Sequence, residues 1–150
     1  MPTYTCTSAP DLIDDEQKQR IAQGIANIHS RHTGAPIGFA QCIFASANPA
    51  DHFIGGAPAP AGSVWVLGHI RAGRSAEVKN GLLTEITTLL VDVLGISDTM
   101  IWTYLNEIDH HHMVEFGRIL PADGEEWNWV GHLPDELRER ITALQGDDST

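Results

Sequence analysis

The first residue here with unusual chemical potential is Pro2, directly behind Met1. Loss of the start methionine would leave Pro2 with a free secondary amine. An α-amine titrates near pH ~7.7–8.0, and a proline amine somewhat higher. Burial disfavours its charged form and nearby carboxylates favour it. A rigidly held Pro2 is therefore either a general base or a general acid at neutral pH. In the plainer reading it merely follows Met1. Arg71 and Arg74, in Arg71-Ala72-Gly73-Arg74, are the second candidates. They fall where a predicted strand gives way to a predicted helix, and helix N-terminal amides favour anions. Two guanidiniums there can clamp a carboxylate or phosphate, or they are solvated or paired with the chain's own acids. Glu115 lies in the apolar run Met113-Val114-Glu115-Phe116-Gly117, as a rim carboxylate or as a general base with a perturbed pKa. Tyr104 in a strand and His29 on a helix read, taken singly, as structural residues.

Asp109-His110-His111-His112 is the densest polar run. Neighbouring histidines point in different directions, and the spacing is not that of a zinc enzyme. No metal site is expected from it. No dinucleotide fingerprint, phosphate loop or nucleophile elbow occurs. With 9 Lys+Arg against 20 Asp+Glu, the net charge of -11 argues against nucleic acid or an anionic membrane surface as partner. No apolar run reaches the ~20 residues of a membrane span, and no basic-plus-apolar signal region opens the sequence. Cys6 and Cys42 lack CxxC spacing and read as small buried residues of a cytoplasmic protein.

These candidates must be positioned by regular elements. Thr3 to Cys6 has strand character, which would hold Pro2 inside a fold. Asp14-Asp15-Glu16 suit a helix start, and Ile21, Ile25, Ile28 and His32 repeat at helical spacing, with His29 beside that face. Phe39 to Ser46 reads as a strand, followed by a long loop through Gly55-Gly56 and the Pro/Ala/Gly stretch 57–62. Val64 to about Arg71 is a strand, and Ser75 to Leu94 an amphipathic helix with Gly95 as C-cap. Met100 to Glu107 is a strand, and Met113 to Gly117 a short β segment. Leu133 to Leu144 is a helix, and Gln145 to Thr150 a disordered tail.

An offset of about 61 residues superimposes Lys18 on Lys79, Ile21 on Leu82, Ile25 on Ile86, Ile28 on Leu89, Ile43 on Tyr104, and Gly56 on Gly117. That is the mark of an internal repeat, placed approximately at 2–61 and 63–122, with a C-terminal extension over 123–150. Each unit is βαβ with a right-handed crossover and parallel strands. The expected architecture is a single α/β domain, a four-stranded sheet with two helices on one face. Its bare second face predicts oligomerisation.

With Pro2, this repeat and Arg71/Arg74 in hand, the chain resembles the tautomerase superfamily, most specifically the cis-3-chloroacrylic acid dehalogenase branch. Also carrying the resemblance are Pro2-Thr3-Tyr4, His29, Thr33-Gly34, Ala40-Gln41, Arg71 to Ser75, Ile101-Trp102-Thr103-Tyr104 and Met113 to Arg118. It covers Pro2 to about Trp129 and departs from the dehalogenase pattern at Gly38-Phe39 and Phe116. The resemblance implies a cofactor-free homotrimer acting on small unsaturated carboxylates such as cis-3-haloacrylates. Pro2 would be proton donor or acceptor, Arg71 and Arg74 the carboxylate clamp, and His29 a substrate-binding group. Glu115 and Tyr104 would activate water. The alternatives are a keto–enol tautomerase using Pro2 as base, and a non-enzymatic metal-binding or interaction protein built on the histidine run.

Overall fold

The computed structural model describes residues 2–145. The first unit runs β1 (Thr3–Ser8), α1 (Asp15–Thr33) and β2 (Gln41–Ser46), followed by a small hairpin of β3 (Phe53–Ile54) and β4 (Ala57–Pro58). The second unit runs β5 (Val64–Arg71), α2 (Ala76–Leu94) and β6 (Ile101–Ile108), with its own hairpin, β7 (Val114–Glu115) and β8 (Arg118–Ile119). Helices α3 (Glu126–Gly131) and α4 (Asp135–Gln145) follow. The two long helices stand 61 residues apart at both ends, and the hairpin strands keep the same separation.

Local chemistry explains these boundaries. Asp14 accepts from the Gln17 amide while the Gln17 side chain accepts from the Asp14 amide, a reciprocal cap on α1. Ser75 caps α2, and the left-handed Gly34 and Gly95 close the two helices. Along β1, Tyr4, Cys6 and Ser8 are buried and alternate with half-buried threonines, the period of a strand covered on one face.

The sheet order is β2-β1-β5-β6. Each unit contributes a parallel pair, β1–β2 and β5–β6, and the units join through antiparallel β1–β5. Ile21, Ile25, Leu82, Ile86 and Leu90 from the helices pack with Tyr4, Cys6, Val64, Val66 and Ile70 of the sheet in one core. The helices touch along their length. A Cβ on Gly24 would fall 2.6 Å from Leu89, and one on Gly81 2.4 Å from the His32 ring, so either side chain would have to move aside for any larger residue there. Among the described residues nothing covers the other sheet face: Ile43, Trp65 and Tyr104 are 45%, 40% and 51% exposed there.

Several boundaries depart from the sequence expectations. Phe39 belongs to a 3₁₀ turn (Ile37–Phe39) rather than to a strand. The presumed loop through Gly55-Gly56 is the first hairpin, with both glycines at positive φ. The presumed single run Met113–Gly117 is broken by a two-residue turn, Phe116 at φ 51 and Gly117 at φ 76, so Glu115 pairs with Arg118. Such a turn matches the twist of a hairpin. Helix α3 was not foreseen. Gln145 ends α4, and the rest of the predicted disordered tail lies outside the described residues.

Candidate active site

Topology brings the start of one strand to the end of another. Because β1 and β5 are antiparallel, Thr3 lies opposite His69, which sets Pro2 beside the end of β5 where Arg71 stands. The Pro2 carbonyl accepts from the Gln41 amide at 2.9 Å, tying the residue into the sheet rather than leaving it on a tail. Helix α1 returns over the sheet and delivers His29 near its C-terminal end. Pro2, His29, Arg71 and Arg74 line one pocket with Phe39, Leu120, Pro121 and Glu126, and its free volume is only about 20 Å³.

The guanidiniums are not idle. Arg71 Nη1 donates to the carbonyls of Pro121 at 2.9 Å and Ala122 at 3.1 Å. Its Nη2 donates to Asp123 at 3.0 Å and, very closely, to Glu126. Arg74 Nη1 donates to the Thr33 carbonyl at 3.1 Å and is ion-paired with Asp123, while its Nη2 donates to Glu126 at 3.1 Å. One buried oxygen of Glu126 thus sits between both guanidiniums. Of the alternatives open from sequence, pairing with the chain's own acids is realised here. Burial alone would push the Glu126 carboxyl up. The Arg71 hydrogen bond and the charges of Arg71 and Arg74 outweigh it and hold the carboxyl below the usual range. Arg71 Nε remains a buried donor with no hydrogen-bond partner among the described residues.

His29 is 4% exposed, and its Nδ1 lies 2.9 Å from the hydroxyl of fully buried Tyr4. Burial first, then the Arg74 and Arg71 charges, lower its pKa to about 3, so the imidazole is neutral at working pH. Glu115 is half-buried on β7, and burial raises its pKa. Neither Glu115 nor Tyr104 is among the described residues lining the Pro2 pocket. Tyr104 lies on the uncovered sheet face, its ring edge-on to Trp65 at 6.0 Å. Four of the six candidates thus line this pocket; Glu115 feels the charge of the chain's amino terminus, which partly offsets the effect of burial, and Tyr104 stands apart on the other sheet face. Asp109, His110 and His111 bring ligand-type atoms within 4.8 Å of one another. They also serve locally: His110 Nδ1 bonds the Leu120 carbonyl, and His111 Nδ1 bonds Asp109, each at 3.0 Å.

Three residues of the site escaped the sequence reading. Tyr4 had a usable signal, an aromatic at an inward strand position. Asp123 and Glu126 had none, since nothing in a run of acids says which will fold back 50 residues onto an arginine.

A four-stranded βαβ repeat with a buried proline at the head of its first strand, facing two arginines, defines a tautomerase-type protein. The family described as "Putative oxalocrotonate tautomerase enzyme" matches residues 1–132, and the chain belongs to it. Within the superfamily it falls in the cis-3-chloroacrylic acid dehalogenase-like branch. N1, described as a member of the cis-3-chloroacrylic acid dehalogenase family, has a crystal structure that superposes with a TM-score of 0.90 at 35% identity, covering 94% of this chain and 99% of that one. Two fused 4-OT proteins share the fold. F6, an asymmetric trimer, has 17% identity and a TM-score of 0.71, covering 78% of this chain and 94% of its own. Q0, a symmetric trimer, has 18% identity and a TM-score of 0.70, covering 77% and 93%. No curated protein matches the chain. Among the described residues, no helix is long and apolar enough to cross a membrane.

Proposed function

We propose that the protein is a cofactor-free hydratase and hydrolytic dehalogenase of small unsaturated carboxylates such as cis-3-haloacrylates. The observation that carries this reading is the convergence of Pro2 with two arginines and a neutral His29 on one small pocket. Once Met1 is removed, protonated Pro2 acts as general acid. The substrate carboxylate takes guanidinium hydrogen bonds now held by Glu126 and uses the spare Arg71 Nε–H. A pocket of about 20 Å³ is smaller than a three-carbon acid, so binding needs more room, and a carboxylate taking the arginines would displace Glu126 from them.

The chemistry then balances. The clamped carboxylate draws electron density from the double bond, and water adds at the β-carbon while losing a proton to Glu115. Pro2 delivers a proton to the α-carbon. The resulting halohydrin closes to an aldehyde, expelling halide and a proton, and leaves a semialdehyde. A raised Glu115 pKa suits a general base. Tyr104 lies on the face opposite the helices, so it can serve a pocket only in an assembly that brings this face to another subunit. That requirement, the bare apolar face, and the trimers formed by F6 and Q0 support a homotrimer.

The alternative is keto–enol tautomerisation with Pro2 as neutral base. Glu115→Gln separates the two, because the amide cannot take a proton from water. Halide release from cis-3-chloroacrylate should fall about a hundredfold, while tautomerisation of phenylpyruvate should persist. Halide release at the wild-type rate in Glu115→Gln would rule out the water-activating role.

A further inference from the structure

We propose that Tyr4 is a positioning residue that fixes His29 as the Nε2–H tautomer, so that His29 meets the substrate as a hydrogen-bond donor. The consequence for substrate binding rests on the carboxylate reading above; the tautomer assignment does not, and stands on the buried Tyr4–His29 hydrogen bond together with the neutrality that burial imposes on His29.

The argument is one of proton accounting. Tyr4 has no exposed surface, and its hydroxyl has a single hydrogen-bond partner among the described residues, His29 Nδ1 at 2.9 Å. A buried hydroxyl proton without an acceptor costs roughly 1–3 kcal/mol. If Nδ1 carried the ring proton, it would donate to the tyrosine oxygen and leave the phenolic proton with nowhere to go. If Nδ1 carries the lone pair, the hydroxyl donates to it and both groups are satisfied. Burial raises the Tyr4 pKa, which keeps that proton on the phenol at any working pH. The proton of the neutral imidazole must then reside on Nε2. Which nitrogen of a histidine is protonated is set by the bond the other one makes.

With Nδ1 committed to Tyr4, Nε2 is the nitrogen left for the pocket that His29 lines with Pro2, Arg71 and Arg74. An N–H there can donate to an anionic oxygen held by the arginines. The opposite tautomer would present a lone pair and repel it. The ring of Tyr4 is itself held in place. It meets the imidazole edge-on at 5.9 Å and lies opposite Gly68 of the neighbouring β5, where a Cβ would fall 2.5 Å from Tyr4 Cε1. A glycine inside a central strand weakens pairing, and close approach of another group is a usual reason for it. Here that group is the Tyr4 ring.

The test is ¹⁵N NMR of histidine-labelled protein at neutral pH, with His29 assigned by its absence in His29→Gln. The wild type should show Nε2 in the protonated range and Nδ1 in the unprotonated range. In Tyr4→Phe both nitrogens should move toward intermediate values as the second tautomer becomes populated, and KM for cis-3-chloroacrylate should rise roughly tenfold with a smaller change in kcat. A wild-type spectrum with Nδ1 protonated overturns the proposal, as does Tyr4→Phe with an unaltered His29 spectrum. If Tyr4→Phe does not fold, the wild-type spectrum alone decides. If wild type does not turn over chloroacrylate, the functional reading fails while the spectrum still tests the tautomer.

Discussion

The two βαβ units share one backbone plan and divide the chemistry. At the 61-residue separation, Pro2 of the first unit corresponds to Ser63 of the second, and His29 to Leu90. In reverse, Arg71 and Arg74 of the second correspond to Pro10 and Ile13 of the first. The counterparts are structural. Ser63 is buried and donates to the Pro60 carbonyl, Leu90 and Ile13 are core residues, and Pro10 sits in the turn after β1. One unit thus contributes the amine and the imidazole, the other the guanidiniums. Duplication supplies the scaffold, and divergence at matched positions supplies the site. Because the units join through antiparallel β1–β5, the head of the first unit meets the tail of the second strand of the pair, and a single pocket can draw on both.

The sharpest way to break this comparison is to treat matched positions alike. Pro2→Ala keeps an α-amine but changes its basicity and orientation. Turnover should fall about a hundredfold or more, provided that intact mass shows Met1 removed. Ser63→Ala should leave turnover within about twofold and cost about 1 kcal/mol of stability. Steady-state assays and urea titrations of both variants decide the matter. Equal effects would mean that the division of labour is not real.

The next contrast sets Arg74 against Ile13. Arg74→Gln should weaken carboxylate binding roughly ten- to a hundredfold, the worth of a charge-assisted hydrogen bond. Ile13→Ala should lower stability by about 2–5 kcal/mol and leave KM unchanged wherever the protein stays folded. A KM effect from Ile13→Ala as large as that from Arg74→Gln would count against a guanidinium clamp.

What could be read from sequence follows the same division. The helices were legible because Ile21, Ile25 and Ile28 and their partners Leu82, Ile86 and Leu89 repeat at helical spacing over about two turns, and because Gly34 and Gly95 mark the ends. The hairpins were not, because two-residue strands show no period; only Gly55-Gly56 and Gly117 marked their turns. Pro2, His29 and the arginines stood out by chemical type and by family resemblance. Their near approach, however, depends on β1–β5 pairing, which no local pattern states. Glu126 was invisible for a different reason. In Gly124-Glu125-Glu126-Trp127 two acids are adjacent, and only the turn of α3 decides which one faces the arginines.

Glu126 belongs to neither unit, and it tests whether the clamp is a carboxylate site. Glu126→Gln removes one of the anions that balance Arg71 and Arg74, while Asp123 and the carbonyls of Pro121 and Ala122 remain. Breaking a buried charge pair is commonly worth about 3–5 kcal/mol, and the retained contacts place this case at about 2 kcal/mol. Added acetate should restore part of the lost stability, because the neutral amide leaves the guanidiniums one anion short and is more easily displaced by an external carboxylate than Glu126 is. Thermal unfolding across an acetate series should therefore show a larger rise in Tm for Glu126→Gln than for wild type. Identical acetate responses would mean that the arginines do not accept a carboxylate from outside the chain.

The last contrast separates His29 from its counterpart Leu90 through pH. The His29 pKa is lowered from an unfolded value near ~6.5 to about 3 in the folded protein, chiefly by burial and then by the Arg74 charge. Between these two values the unfolded chain binds a proton that the folded protein refuses, so stability rises with pH across that window. As pH falls below about 6.5 the protein loses stability by up to about 1.4 kcal/mol per pH unit from this one group, and the loss levels off near 3. Glu126 adds in the same direction lower down: its folded carboxyl is depressed, so its contribution is present above the ordinary carboxylate range and is lost as pH falls through the folded value. His29→Gln removes the first contribution and keeps the second. Urea unfolding at pH 5 and pH 7 should then show a shallower pH dependence for His29→Gln than for wild type, while Leu90→Ala lowers both values by the same amount. If wild type and His29→Gln lose stability in parallel over that interval, His29 is not held neutral by the fold, and the matched positions differ in shape alone and not in charge.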